Sequence, residues 1–225
     1  MRLRWFGHSA FELDGKDRVL IDPFLDGNPL SPVKAADVSA DIIVPTHGHN
    51  DHLGDTIAIA RRTGAVVVAT WELATYCEKK GCRTDPMNVG SIRVRESKIS
   101  LTHAVHSGGC LEGDVMVYTG NPCGVVVDSG KRVYHAGDTW LFNDMNLIGE
   151  FHKPEVALLP IGGRYTMGPA EAAVAATWVN AKVVVPMHYN TFDGIKADPD
   201  EFKRVVEGQT GIEVIVMKPG DTIDV

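Results

Sequence analysis

Seven residues, Thr46-His47-Gly48-His49-Asn50-Asp51-His52, constrain this chain more than any other part of it. They place four metal-capable side chains, His47, His49, Asp51 and His52, directly after the apolar run Ile42-Ile43-Val44. Their separations of 2, 2 and 1 do not match the i, i+4 pairing of a helical zinc site. They suit a loop at the C-terminal end of a buried strand, where the backbone fans side chains toward one point. Gly48 permits the tight path of such a loop. Imidazoles with a carboxylate favour a borderline ion such as zinc, iron, manganese or nickel over calcium or magnesium.

Four side chains cannot hold two ions alone, so further ligands are expected at other strand ends. His106 closes Leu101-Thr-His-Ala-Val-His-Ser107, Asp138 lies in Val133-Tyr-His-Ala-Gly-Asp-Thr139, and His188 lies in Val183-Val-Val-Pro-Met-His-Tyr189. Each follows an apolar, strand-like run. A shared site built this way needs several strands delivered to one sheet edge, which points to an α/β chain.

The remaining pattern agrees. Arg2–Phe6, Ala10–Leu13 and Arg18–Ile21 read as strands, with a hairpin signal at Asp14-Gly15. Asp55–Thr63 and Trp71–Lys80 read as helices around a buried strand, Ala65–Ala69, with Gly64 and Gly81 at the helix ends. Ile92–Arg95, Ile99–His103, Val115–Thr119, Gly124–Val127 and Arg132–His135 form a strand-rich middle. Strand Val156–Pro160, helix Pro169–Val179 and strand Val183–Met187 follow. Asp198-Pro199-Asp200-Glu201 caps a last helix, and Glu213–Met217 and Thr222–Val225 close as strands. The order β-rich, βαβ, β-rich, βαβ predicts sheets packed face to face with helices outside.

Length and charge narrow the setting. The 225 residues are read as one domain, 1–225, since α/β domains often exceed 200 residues. No run approaches 18 apolar residues, and Met1–His8 has no apolar h-region, so a membrane span and a secretory signal are not expected. Cys77, Cys82, Cys110 and Cys123 form no C-x-x-C pair, which suits a reducing cytoplasm. Twenty-two Lys plus Arg against 29 Asp plus Glu give −7, which argues against sequence-blind binding to nucleic acid.

H-x-H-x-D-H with a later strand-end His, a Gly-Asp-Thr and a second strand-end His resembles the metallo-β-lactamase superfamily. Gly7-His-Ser-Ala-Phe11, Ile21-Asp-Pro-Phe24, Ala136-Gly-Asp-Thr139, Leu158-Leu-Pro-Ile-Gly162, Thr166-Met-Gly-Pro169 and Pro186-Met-His-Tyr-Asn-Thr-Phe192 further resemble a family of small metal-dependent hydrolases. That family is similar to ascorbate-6-phosphate lactonases and to phosphodiesterases of the superfamily. The resemblance spans essentially the whole chain and implies a four-layer αββα fold, with two mixed sheets face to face. It implies two divalent ions, zinc first, with manganese, nickel or iron as alternatives. His47, His49 and His106 would hold one ion, Asp51, His52 and His188 the other, and Asp138 would bridge them. A hydroxide between the ions would cleave a small ester, lactone or phosphodiester. The expected partner is a small, anionic-compatible substrate, with no membrane and no stable nucleic-acid partner, and a homo-oligomer is compatible.

Several residues keep two readings. Asp51, Asp138 and His8 are the catalytic candidates. His8 is a substrate contact, a proton donor or a residue orienting a ligand, or else a loop His bonded to backbone. Asp22 either orients a ligand His or shapes a turn. Arg164, Tyr165 and Tyr189 are candidate substrate contacts, against an exposed loop Arg in the first case. His106 is preferred to His103, which lies three residues earlier; His135 reads as a core His and His152 as a surface one. Met167, Met187 and the four Trp read as packing. Competing functions are a nuclease or phosphodiesterase acting on RNA or nucleotides, redox chemistry at iron, and a metal-binding scaffold without activity.

Overall fold

The strand-forming runs become two seven-stranded sheets in the computed structural model, which describes residues 1–225. In chain order the elements are β1 (Arg2–Trp5), β2 (Phe11–Asp14), β3 (Arg18–Ile21), β4 (Ile42–Val44), α1 (Asn50–Leu53), α2 (Thr56–Thr63), β5 (Val66–Thr70), α3 (Trp71–Lys79) and β6 (Arg83–Met87). Then come β7 (Gly90–Val94), β8 (Ser97–His103), β9 (Cys110–Glu112), β10 (Val115–Val117), β11 (Cys123–Asp128), β12 (Arg132–His135), α4 (Met145–His152) and β13 (Val156–Pro160). The chain closes with α5 (Pro169–Val179), β14 (Val183–Met187), α6 (Pro199–Thr210), β15 (Glu213–Val214) and β16 (Thr222–Asp224).

The first sheet runs β16-β1-β2-β3-β4-β5-β6 and the second β15-β14-β13-β12-β11-β8-β7. Each is half antiparallel and half parallel. The pairs β3–β4, β4–β5 and β5–β6 are parallel in one, and β12–β13, β13–β14 and β14–β15 in the other. The inner parallel strands β4, β5 and β13 are buried along their whole length and apolar except for Thr70, as strands covered on both faces must be. One core, including Trp5, Phe11, Leu101 and Val125, lies between the sheets and continues under α5 and α6. A second, including Ile59, Leu73, Ala74 and Cys77, lies between the first sheet and α2 and α3. This is the expected αββα layering. All four cysteines are free and buried; Cys123 belongs to the first core and Cys77, Cys82 and Cys110 to the second.

The capping chemistry holds where it is most local. Asp198 accepts hydrogen bonds from the Asp200 and Glu201 backbone N–H groups at 2.9 and 3.1 Å. Gly64 ends α2 at φ +75°. Other elements depart from the sequence reading. Asn50–Leu53 is a single helical turn rather than part of a loop, and four residues are too few to show a 3.6-residue period. Met145–His152 is a helix with no expected counterpart, although Met145, Ile148 and Gly149 recur on one buried face. Edge strand β6 carries Pro86 and no clean alternation, so it is hard to read as a strand. Val115–Val117 pairs only with β9, as a two-stranded hairpin outside both sheets, and β15 stops at Val214 rather than Met217.

Candidate metal centre

The seven proposed ligands come from four different chain regions, following strands of both sheets, and meet at one end of the sandwich. His47 and His49 leave the C-terminal end of β4, and α1 follows with Asp51 and His52. Asp138 lies three residues beyond β12, His106 three beyond β8, and His188 directly after β14. Carboxyl ends of strands are the usual location of sites in α/β folds. His8 arrives from the β1–β2 turn and Asp22 from the end of β3.

Distances define a single cluster. Asp138 is central, with His52 Nε2 at 3.2 Å from Oδ1, and His188 Nε2 at 3.0 Å and His106 Nε2 at 3.6 Å from Oδ2. His47 Nε2 and His49 Nδ1 are 2.8 Å apart. Three groups each have donor atoms within 4.8 Å of one another: His47, His49 and His106; His47, His52 and Asp138; and His8, Asp51, His52 and His188. His52 Nε2 and Asp138 Oδ1 are buried and have no hydrogen-bond partner, since their approach is misaligned for one. Buried polar atoms without partners are costly, and these two face each other. Such a set of converging imidazole and carboxylate atoms fits borderline divalent ions.

The backbone is strained where the donors are presented. His8, Asp22 and His188 have φ of +56°, +46° and +54°, in the left-handed region that costs L-residues roughly 1–2 kcal/mol. Hydrogen bonds fix them there. The His8 carbonyl accepts from Trp5 Nε1–H and from the His188 backbone N–H, both at 3.0 Å. The Asp22 carboxylate accepts from the Thr46 N–H at 2.6 Å, the Thr46 hydroxyl at 2.8 Å and His52 Nδ1–H at 2.7 Å. That arrangement leaves Nε2 of His52 turned to Asp138. Gly48 is required for a different reason than its backbone path: a Cβ there would sit 2.0 Å from Thr119 Oγ1. Gly137, at φ +64°, lets Asp138 follow β12 under the Cys123 carbonyl.

Burial and mutual charge set the protonation states. Burial, helped by His188, lowers the pKa of His8 to about 4, so its imidazole is neutral at pH 7. Burial also pushes His47 well below its ordinary value. Burial works against charge on His52, but Asp138 and Asp22 on either side outweigh it and raise its pKa well above the usual range. For Asp51 burial is opposed by the His8 hydrogen bond and by His52, and its pKa falls. His8 Nε2 lies 3.2 Å from Asp51 Oδ2, and Nδ1 lies 2.9 Å from Thr191 Oγ1. With Thr191 donating to Nδ1, His8 carries its proton on Nε2 and donates it to Asp51.

The cluster forms the floor of a cleft of ≈ 580 Å³. Arg164 and Tyr165 line it, as the sequence suggests. Tyr189 does not, which corrects the expectation of a substrate contact. It is buried with its ring centroid 5.6 Å from that of Trp5, because the left-handed turn at His188 directs the next side chain into the core. His103 packs edge-on to Phe142 in a separate groove. His135 bonds the Ser9 carbonyl at 2.9 Å and accepts from the Gly137 N–H, a core role as expected. His152 ends α4, half-buried. Thr191, Ser107, Phe192 and Ile195 also belong to this region and carry no clear sequence signal. Only the phrase Pro186–Phe192 hinted at the first and third, and no spacing marks the others.

Comparison with known proteins converges on one group. The profile of the beta-lactamase superfamily domain matches residues 17–189. A UPF0173 metal-dependent hydrolase of Methanosarcina mazei is 47% identical over 225 residues, covering 99% of this chain and 98% of that protein. One from Pelotomaculum thermopropionicum is 47% identical over 227 residues, covering all of both. Among solved structures, Igni18, a metallo hydrolase from the hyperthermophilic archaeon Ignicoccus hospitalis, matches with a TM-score of 0.90 and 42% identity, covering 99% of this chain and 97% of that one.

Proposed function

Because the chain belongs to the UPF0173 family of metal-dependent hydrolases, within the metallo-β-lactamase superfamily, we propose that it cleaves a small ester, lactone or phosphodiester with two divalent ions. The observation that carries this reading is the convergence of imidazole and carboxylate donors around Asp138, where the buried His52 Nε2 and Asp138 Oδ1 face each other at 3.2 Å without a hydrogen bond. His47, His49 and His106 would hold one ion, and Asp51, His52 and His188 the other. Asp138 would bridge them, because a carboxylate offers two oxygens. Zinc suits this set first, with manganese, nickel or iron as alternatives. When bound, two such ions lower the pKa of coordinated water and polarise the substrate oxygen.

The chain's own residues supply positioning. Asp22 fixes the tautomer of His52 through Nδ1. His8 is fully buried and both its nitrogens are engaged, so we assign it the orientation of Asp51 rather than proton donation to a leaving group. The cleft above the ligands admits a small molecule.

The test combines metal analysis with a turnover screen on the metal-loaded protein. 4-Nitrophenyl esters, lactones, bis(4-nitrophenyl) phosphate, cyclic nucleotides and thioesters form the panel. About two equivalents of metal and chelator-sensitive hydrolysis of at least one class are expected. A single redox-active iron, or two bound ions with no turnover on any class, overturns the reading.

A further inference from the structure

Arg164 stands at the rim of the cleft as a cation without a counter-ion. No carboxylate lies within ion-pair distance of it. The nearest acidic residue along the facing turn, Asp193, pairs instead with Lys196 at 2.8 Å. The guanidinium lies over the Tyr165 ring at 5.2 Å, and stacking occupies its face while leaving its N–H edge open. Its Nη1 passes over Gly194, where an added Cβ would sit 3.5 Å away. Phe192 and Ile195 extend the same wall as apolar surface.

The loop that presents Arg164 is built, not slack. It leaves β13 through Gly162, whose Cβ position lies 2.1 Å from the His188 carbonyl oxygen, so the loop rests on the ligand-bearing turn itself. Gly163 N–H bonds the Met167 carbonyl, and Met167 N–H bonds the Thr139 carbonyl, each at 3.0 Å. Arg164 is held at φ +46°, a conformation a long side chain rarely adopts. Strained residues of this kind cluster at ligand-binding positions.

We propose that Arg164, backed by Tyr165, forms an anion subsite, and that the substrate carries a carboxylate or phosphate set apart from the bond that breaks by a short apolar segment. This rests on the hydrolase reading of the same cleft. The metal floor holds one end of the substrate. The planar guanidinium fork takes the far anion in bidentate fashion. The intervening atoms lie along Phe192 and Ile195. Neutral esters then bind by one end only.

The test uses the zinc-loaded protein and calorimetric titration with pairs of ligands. Each pair is an alkylphosphonate and its ω-carboxy counterpart, over chain lengths of about two to six methylene groups, to span the cleft. The phosphonate takes the metal floor in both. Wild type should favour the carboxy ligand by about tenfold or more at one chain length. R164Q should lose that preference while binding the plain alkylphosphonates unchanged. R164G is the companion variant, since glycine accepts the left-handed backbone. It should melt no lower than wild type and still lose the preference. A preference that survives in R164Q and R164G, or that is absent from wild type at every length, overturns the subsite alone. Failure of the plain alkylphosphonates to bind overturns the metal reading and the subsite with it.

Discussion

His47, His49 and His106 on one side of Asp138, and His8, Asp51, His52 and His188 on the other, are held by unequal means. On the second side the rings of His8 and His52 are fixed by residues outside the ligand set, and His188 is fixed through its backbone. His52 is locked by Asp22, which is itself locked by the Thr46 N–H and hydroxyl. His8 is held by Thr191, and its carbonyl ties the His188 backbone. The rings of His8 and His188 sit 4.1 Å apart. On the first side His47 alone has an outside partner, Thr46 Oγ1 at 3.0 Å. His49 and His106 are half-buried and bond nothing beyond the cluster. One half of the cluster is preorganised by its surroundings, and the other has few anchors of its own. Orientation by neighbours is what raises ligand quality, so the braced half should hold its ion more tightly.

Removing the shared residue should erase the contrast. D138A should weaken binding of both ions by more than about a hundredfold, beyond the range for residues that only orient a ligand. Metal titration followed by calorimetry reads this directly. Retention of two equivalents by D138A would falsify the bridging role.

Next in size is a pH effect on the braced half of the metal-free chain. His8 has a folded pKa of about 4, below the unfolded value near 6.5. The unfolded chain therefore takes up a proton that the folded chain refuses. Above about pH 6.5 His8 is neutral in both states and nothing is lost; as pH falls toward 4 the folded state is progressively disfavoured, and the loss reaches about 3 kcal/mol. H8Q should flatten denaturant-measured stability over this window relative to wild type. Equal slopes for the two proteins would remove His8 from the account.

D22N sharpens the comparison further. It should lower affinity for one ion by about 10–100-fold and leave the other nearly unchanged. Two resolved binding steps, only one of them shifted, are the expected record. Equal movement of both steps would mean the halves are not separately braced.

How much of this was legible follows from the same inequality. The convergence of His47, His49, Asp51, His52, His106, Asp138 and His188 could be read because strand-end chemistry is local: an apolar run stops and a donor follows. Asp22 was legible for the same reason, at the end of β3. The bracing was not. Thr191 and His8 meet across 183 positions of sequence, and nothing local reports such a contact. The burial of Tyr189 was not legible either, since it sits between His188 and Asn190, both with left-handed φ, +54° and +58°. The sheets were readable from continuous buried runs such as Val66–Thr70. The helix Met145–His152 escaped because it is short, contains Gly149 and opens without a side-chain cap.

Cys123 donates a 3.2 Å hydrogen bond to the carbonyl of Thr46, directly beneath the loop of the metal motif, whereas Cys77, Cys82 and Cys110 lie in the outer core under α3. A thiol reagent reaches such groups only when the surrounding structure opens. The chain thus carries two internal clocks, one for the loosening of the sandwich beneath its metal loop and one for the lifting of its outer helices. Loading the metals should slow the first far more than the second.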